Sequence, residues 1–232
     1  MQIDTGISYI EHGLKSAIKG MQIQNKFITL TNDNVVGFDK IGYQRKEIVN
    51  SSFQEFIGAD ALSTVTDDKV GRLTLTSNPL DLALANKGYF QVQDASGIKL
   101  TRDGRFQLDK EGNLLALDGS KVLGNNGIPI KSTIIPKNVK EVVVNTKGDV
   151  SVFNPTTKKM EKMGTLGIVN TDGSLVIDPQ VKQGYNEYSN VSLQEEFLGL
   201  MLPLRNFDAN RQMFMIENQI LNKTISQLGT NG

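Results

Sequence analysis

Residues 3–28, IDTGISYIEHGLKSAIKGMQIQNKFI, carry apolar side chains at intervals that alternate between four and three residues. The positions of this repeat are Ile3, Ile7, Ile10, Leu14, Ala17, Met21, Gln24 and Ile28, with Gln24 the one polar member. Alternating intervals of four and three place a single apolar row along a helix, as in a coiled coil. The stretch therefore predicts an N-terminal helix over residues 1–31 whose apolar row needs a partner.

The same spacing returns in residues 193–228, LQEEFLGLMLPLRNFDANRQMFMIENQILNKTISQL, and predicts a C-terminal helix within residues 189–232. Its apolar positions are Leu193, Phe197, Leu200, Leu204, Phe207, Phe214, Leu221, Ile225 and Leu228. Arg211 and Asn218 occupy the two remaining positions of the row. There a polar residue either fixes the register of the helix pair or faces a wet part of an assembly. Pro203 predicts a kink, or a helix that begins near it.

Short apolar runs separated by turn residues predict a mainly antiparallel β domain over residues 81–188. The predicted strands are 89–93, 98–101, 105–108, 113–117, 141–144, 149–153, 165–169 and 174–177. Most of the turns between them contain Asp-Gly or a related pair, which supplies the positive φ angles of tight hairpins. Residues 32–80 are polar and only partly alternating, which favours an extended connector. The predicted fold class is α+β, with long terminal helices that pair as a coiled-coil-like domain and flank a hairpin-rich β domain.

Composition narrows the possible functions. Among the 232 residues, Lys+Arg and Asp+Glu both number 25, so no strongly basic surface for nucleic acid is expected. The chain has no cysteine and one histidine, which predicts neither a metal site nor a cofactor site. The N-terminal stretch lacks both the apolar run of a signal peptide and the roughly 20 apolar residues of a membrane span. We expect a protein that stays inside or leaves by a route without a cleaved signal.

Residues 32–38, 76–84, 101–106 and 205–210 resemble segments of the flagellar rod and hook proteins. Residues 32–38, NDNVVGF, resemble the Asn-x-Asn-x-x-Gly-Phe turn that follows the first helix of that family, which makes Asn32, Asn34 and Gly37 candidate turn residues. Residues 101–106, TRDGRF, resemble its most recognisable signature and make Asp103 and Gly104 candidate turn residues as well. The blocks TSNPLDLAL and RNFDAN, which begin at Thr76 and Arg205, are similar to further family segments.

The resemblance implies a structural subunit of the flagellar basal-body rod. Such a subunit is exported by the flagellar type III apparatus without a cleaved signal, into the periplasmic part of the basal body. It polymerises through its terminal helices to transmit torque and support motility. The implied partners are copies of itself, other flagellar axial proteins and the export apparatus, with no nucleic acid and no membrane span. The candidate assembly interface consists of Ile7, Ile10, Leu14, Met21, Phe197, Leu204, Phe207, Phe214, Leu221, Ile225 and Leu228.

No catalytic site is predicted. Asp81 and Asp103 could act as acids, but the sequence places no second carboxylate beside either, and loop geometry explains both. A polysaccharide-active enzyme would need paired carboxylates and aromatic platforms, and the chain has no tryptophan. The alternative function is a hook-type protein or another surface-exposed, β-rich structural or adhesive protein. An adhesin would not need heptad repeats at both ends.

Overall fold

The fold comes from a computed structural model that describes residues 2–50, 62–136 and 138–230. These residues form two long helices, α1 (Gln2–Gly37) and α2 (Leu193–Thr230), with all the strands between them. The strands are β1 (Lys46–Asn50), β2 (Leu62–Thr66), β3 (Leu73–Leu75), β4 (Leu82–Leu84), β5 (Tyr89–Asp94), β6 (Gly97–Thr101), β7 (Phe106–Leu108), β8 (Leu114–Ala116), β9 (Lys121–Val122), β10 (Val142–Val144), β11 (Asp149–Asn154), β12 (Lys159–Thr165), β13 (Ile168–Val169), β14 (Val181–Gln183) and β15 (Tyr185–Glu187). The predicted α+β class, with terminal helices around an antiparallel β domain, is confirmed.

The strand pairs of the described residues are all antiparallel. The largest sheet has six strands in the order β13-β5-β9-β8-β7, with β6 also paired to β5. A second sheet has the order β10-β11-β12, and β14–β4, β15–β3 and β1–β2 form two-stranded sheets. Consecutive strands pair through short turns in β5–β6, β7–β8 and β10–β11, as the glycine-containing turn pattern predicts, and in β11–β12, whose turn contains no glycine.

Internal contacts divide the chain into two compact units. The helix unit contains the described residues of 1–36, 46–66 and 192–232, so the hairpin β1–β2 belongs with the two helices. The β unit contains residues 37–45 and the described residues of 67–191. Residues 32–80, predicted as an extended connector, thus contain the last turns of α1, the hairpin and β3.

The β unit has its own apolar core. Alternate residues of the strands point into it, for example Phe90 and Val92 of β5 and Val150 and Val152 of β11. The rings of Phe90 and Phe106 meet edge to face, with centroids 5.2 Å apart. Each fully buried side chain of this size contributes about 1.5–3 kcal/mol through the hydrophobic effect.

The predicted strands agree with the structure in all but one case. Every predicted strand segment contains a strand except 174–177, where Leu175 forms only an isolated bridge to Val169. The strand β12 was not predicted because its sequence, KMEKMGT, does not alternate between apolar and polar residues. Its side chains are exposed or half-buried, so no apolar face marks it.

The turn at Asp103 and Gly104 differs from the prediction. Glycines of the other predicted turns, such as Gly112, Gly119 and Gly148, have the expected positive φ, but Gly104 does not. Instead, a methyl group on Gly104 would lie 1.7 Å from the carbonyl oxygen of Leu82. Glycine is needed here because β4 passes close to the backbone, and β6 and β7 on either side do not form a hairpin.

The helix boundaries also correct two predictions. The segment 32–38 is not a turn, because α1 continues to Gly37. Gly37 ends the helix, and its lack of a side chain makes room for the ring of Tyr43. Pro203 lies inside α2, so of the two alternatives for this proline, a helix that begins near it is wrong, and a helix that continues through it is observed.

The carboxylate of Asp149 ties together the β11–β12 hairpin. Its Oδ1 accepts hydrogen bonds of 2.6 Å from Lys162 Nζ and 2.6 Å from Thr165 Oγ1, and its Oδ2 accepts one of 2.9 Å from Asn145 Nδ2. These bonds, that from Lys162 above all, hold the pKa of Asp149 well below its ordinary value of 3.8. The charged form is thus favoured in the folded protein.

Acid should therefore weaken this hairpin. A carboxylate whose pKa is lowered on folding stabilises the protein above its unfolded pKa, and the stabilisation is lost as the pH falls towards the folded pKa. We expect Asp149→Asn to remove roughly 1 kcal/mol at most at neutral pH, since the group is partly exposed. Urea unfolding at several pH values between neutral and about 2 should show a smaller pH dependence for the variant. An unchanged pH dependence would contradict this role.

Candidate assembly interface

The predicted row on α1 lies along one buried side of that helix. Ala17 is fully buried, and Ile10, Leu14 and Met21 are half-buried. Ile7 belongs to α1, but its side chain lies outside the described residues. The buried side also includes a second set spaced seven residues apart, which consists of Gly13, Gly20, Phe27 and Asn34.

The buried row on α2 follows a different register from the predicted one. Its members are Glu196, Leu200, Pro203, Phe207, Asn210, Phe214, Glu217, Leu221 and Thr224, again at alternating intervals of four and three. Leu200, Phe207, Phe214 and Leu221 were predicted. The other half of the row lies one residue earlier in the chain than the predicted positions. It is mostly polar, which is why the apolar pattern did not reveal it.

The predicted α2 residues that are not in the buried row point away from α1. Phe197, Leu204 and Ile225 are 57%, 44% and 56% exposed, and Arg211 and Asn218 are exposed as well. Arg211 and Asn218 are therefore not in the row that faces α1, and Asn210 and Glu217 take those places. The side chain of Leu228 lies outside the described residues.

Large apolar side chains cover much of the exposed surface of α2. We call them the outer apolar residues: Phe197, Leu198, Met201, Leu202, Leu204, Met213, Met215, Ile216, Ile220 and Ile225. Within the described part of the chain, no other element exposes so many large apolar side chains. A helix that has large apolar side chains on its outer sides as well as towards its partner is typical of one that packs against several helices.

The two helices run antiparallel and contact each other at three described points. A methyl group on Gly13 would lie 2.7 Å from Glu217 Oε1, and one on Gly20 would lie 2.6 Å from Asn210 Nδ2. Near the other end, Asn34 Nδ2 donates a hydrogen bond of 3.3 Å to Glu196 Oε2. As the residue number rises along α1 it falls along α2, which fixes the antiparallel direction.

Asn34 joins three elements of the helix unit. Its Oδ1 accepts a hydrogen bond of 2.9 Å from the backbone N–H of Lys46, and its Nδ2 donates one of 2.9 Å to the carbonyl oxygen of the same residue. The amide thus pairs with the first residue of β1 as a neighbouring strand would. Together with Glu196 it links α1, β1 and α2. Asn34 is 1% exposed, so a side chain without both a donor and an acceptor at this position would lose the two bonds to the backbone of Lys46.

The remaining motif residues have separate local roles. Asn32 is an exposed residue of α1. Asp103 accepts hydrogen bonds from the backbone N–H and the side chain of Arg105. Gly37 and Gly104 lie where the chain passes close to a ring and to a strand, as described above. The structure does not bring these residues together into one site.

Comparison of the chain with known proteins shows which family it matches. Residues 83–152, from β4 into β11, match a family model described as the flagellar hook protein FlgE/F/G D1 domain. The flagellar basal-body rod protein FlgG of Buchnera aphidicola subsp. Acyrthosiphon pisum is 30% identical, over 82% of this chain and 85% of that protein.

The chain belongs to the flagellar basal-body rod protein family. FlgG of Bacillus subtilis is 28% identical, over 92% of this chain and 97% of its own length. The rod protein FlgF of Mesorhizobium japonicum is 27% identical, over 87% of this chain and 89% of its own length. The resemblance found in the motifs is thereby confirmed, as is the association with the flagellum, the basal body and motility.

We also searched the described residues of this rod-family protein for a membrane-spanning helix and for a metal site. Neither α1 nor α2 is apolar enough along its described length to form a membrane span. The described residues also contain no cluster of acidic and histidine side chains that could hold a metal ion.

Sequence reasoning missed the pair Arg102 and Glu187 of the β unit. Glu187 Oε2 lies 2.6 Å from Arg102 Nη2 and accepts a hydrogen bond of 2.8 Å from Nε. The guanidinium also donates to the carbonyl oxygens of Leu84, Asn86 and Gly88. Glu187 Oε1 in turn accepts a hydrogen bond of 2.9 Å from the N–H of Gly71.

This buried pair gives the TRDGRF signature a structural role. Both side chains are at most 2% exposed, and the guanidinium bonds to Glu187 and to three backbone carbonyl groups elsewhere in the β unit. Arg102 and Glu187 therefore hold together β15, the β4–β5 connection and the segment before β3. In the sequence, Arg102 looked like an ordinary turn residue, and no local pattern indicates a partner 85 residues away.

Proposed function

We propose that this chain is a structural axial subunit of the flagellar rod that polymerises through its helix unit and catalyses no reaction. Its relatives are structural rod proteins and not enzymes, and they match it over most of their length. A rod role also means assembly with other flagellar axial proteins in the basal body. The proposal adds contacts between copies of this chain and the transmission of torque through them.

The outer apolar residues of α2 are the observation that carries the proposal. Large contiguous apolar surfaces are uncommon on monomeric soluble proteins and mark interaction sites. Because one row of α2 already faces α1, the outer apolar residues are free to pack against helices of neighbouring subunits. Coiled-coil-like packing would bury them, and the seven-residue spacing of Phe197, Leu204, Arg211 and Asn218 suits such packing.

The same proposal assigns tasks to the parts of the chain. Residues 1–31 and 189–232 form the assembly domain, and residues 81–188 form a β domain that takes no part in polymerisation. The proposal also includes the route of the chain. The flagellar export apparatus delivers it, without a cleaved signal, to the periplasmic part of the basal body. This route is supported by membership of the rod protein family.

A hook-type role is the second candidate. It is favoured by the description of the matching family model, which covers hook and rod proteins alike. The match spans only residues 83–152, whereas the rod proteins match along most of the chain. The rod is therefore the better-supported place of assembly.

Charged substitutions among the outer apolar residues test the proposal. Leu202 and Ile216 are 65% and 56% exposed, so Leu202→Asp and Ile216→Asp should leave the helicity and the unfolding temperature of the purified protein nearly unchanged. In a polymer the same carboxylates would be buried without a partner, which is strongly unfavourable. We expect incorporation into basal bodies and swimming to fall at least about tenfold, as one unpaired buried carboxylate suffices for that.

Gln219→Asp is the matched control, because Gln219 is an exposed polar residue of the same helix. It should swim normally when expressed at the same level in a deletion strain. Immunoblots of exported protein separate a failure of export from a failure of assembly. Normal incorporation of both Leu202→Asp and Ile216→Asp would show that the outer apolar residues are not the polymerisation surface.

A further inference from the structure

The side of α2 that faces α1 carries polar residues where a coiled coil would have apolar ones. Glu196 is buried, and Asn210 and Glu217 are half-buried. Each lies against a particular residue of α1: Glu196 against Asn34, Asn210 against Gly20, and Glu217 against Gly13. We call these three contacts the polar rungs.

The polar rungs share one alignment. In each facing pair the two residue numbers add up to 230, so the rungs lie at equivalent places in a single antiparallel register. Two of the rungs depend on glycine. A methyl group on Gly20 would lie 2.6–2.8 Å from three side-chain atoms of Asn210, which is closer than real contacts of this kind come.

Other registers of the same heptad pattern would lose these contacts. A slip of one heptad in one direction places Asn210 opposite Phe27, and a slip in the other direction places Glu196 opposite Phe27. Either slip separates Asn34 from Glu196. In both cases a polar side chain would face an aromatic ring without a hydrogen-bonding partner, which is unfavourable in a helix interface.

The apolar members of the row do not distinguish the registers in this way. Large apolar residues recur every seven residues at Leu200, Phe207, Phe214 and Leu221. A slip of one heptad therefore puts another large apolar residue at most of these positions. A polar residue in an apolar row lowers stability but can specify register. We infer that the polar rungs are the register-determining contacts that select one antiparallel alignment of α1 and α2.

This inference concerns pairing within one chain and goes beyond the proposed function. It can be tested on the purified protein, without any polymer. The chain has no cysteine, so each introduced cysteine pair reports one alignment only. Gly20→Cys with Asn210→Cys reports the observed register, and Phe27→Cys with Asn210→Cys reports a slip of one heptad.

The test compares two backgrounds. In the first, Glu196→Leu and Glu217→Leu replace the remaining rung residues of α2 by apolar ones. In the matched control, Glu195→Leu and Gln219→Leu change two exposed residues of the same helix. After mild oxidation, the yield of intrachain disulfide is measured on non-reducing gels, where it separates from disulfide-linked dimers.

We expect the observed-register disulfide to form in high yield in the control background and to fall at least about threefold without the rungs. The slipped-register disulfide should rise from background at the same time. The far-ultraviolet helical signal should stay within about 10% of the control, because apolar residues at row positions keep the helices paired. An unchanged disulfide pattern without the rungs would overturn the inference. A loss of helical signal would overturn it too, since the residues would then support folding and not select a register.

Discussion

Arg102→Met is expected to destabilise the β unit by about 3–5 kcal/mol, the usual result of removing one partner of a buried ion pair. The substitution leaves the carboxylate of Glu187 buried without its counter-charge and removes the donors to three backbone carbonyl groups. Urea unfolding of the purified protein, followed by circular dichroism, measures the loss.

Arg105→Met is the matched control. Arg105 pairs with Asp103 at 2.6 Å, but the two side chains are 36% and 31% exposed. A partly exposed pair contributes at most about 1 kcal/mol. The double variant Arg102→Met/Glu187→Met should recover part of the lost stability, because it no longer buries an unpaired charge. Equal stabilities of Arg102→Met and Arg105→Met would show that the buried pair does not hold the β unit together.

Leu14→Asp and Leu221→Asp are expected to abolish assembly and swimming. Both leucines are half-buried in the rows where α1 and α2 face each other. Truncation of a buried leucine costs about 2–5 kcal/mol, and a carboxylate in its place costs more. Unlike substitutions of the outer apolar residues, these should also lower the helical content of the purified protein, because they break the pairing within the chain.

The neighbouring positions supply the controls. Lys15 and Asn222 are exposed, so Lys15→Asp and Asn222→Asp should change the helical content and swimming little. Each variant is expressed in a deletion strain, its export and level are checked, and basal bodies are isolated to measure incorporation. Normal incorporation of both leucine variants would mean that the facing rows do not support assembly.

The helices could be predicted well from the sequence because their heptad repeats extend over many turns. In the N-terminal row, Ile10, Leu14 and Met21 are half-buried, and their role in assembly stays a prediction. The end of α1 could not be placed, because the motif around Asn34 suggested a turn. The structure shows that Asn34 is helical and that its side chain, by pairing with Lys46, substitutes for a strand.

The register of α2 was harder to predict for a physical reason. Apolar residues occur on nearly all sides of this helix, so the spacing alone does not tell which row faces α1. The true row contains Glu196 and Glu217, which a search for apolar repeats rejects. Their partners, Asn34 and Gly13, are known only when the two ends of the chain are brought together.

The strands of the β unit could also be predicted only in part from the sequence. Alternation predicted strands such as β5 and β11, where every second residue is buried. It missed β12, which has no buried residue, and the short strands β3, β14 and β15, which pair across more than 90 residues of sequence. Local patterns predict local pairs, whereas Arg102 and Glu187 meet only after the long-range strands have formed.

The self-contained core of the β unit has a consequence for how such proteins can diversify. All the residues of that core lie between Leu80 and Val181, and both helices lie outside this range. Surface loops in this interval can therefore change in length, or the whole interval be exchanged, without altering the rows through which α1 and α2 face each other. One pair of helices can accordingly be kept unchanged while the β domain between them changes in size, so the two parts of such a chain can evolve at different rates.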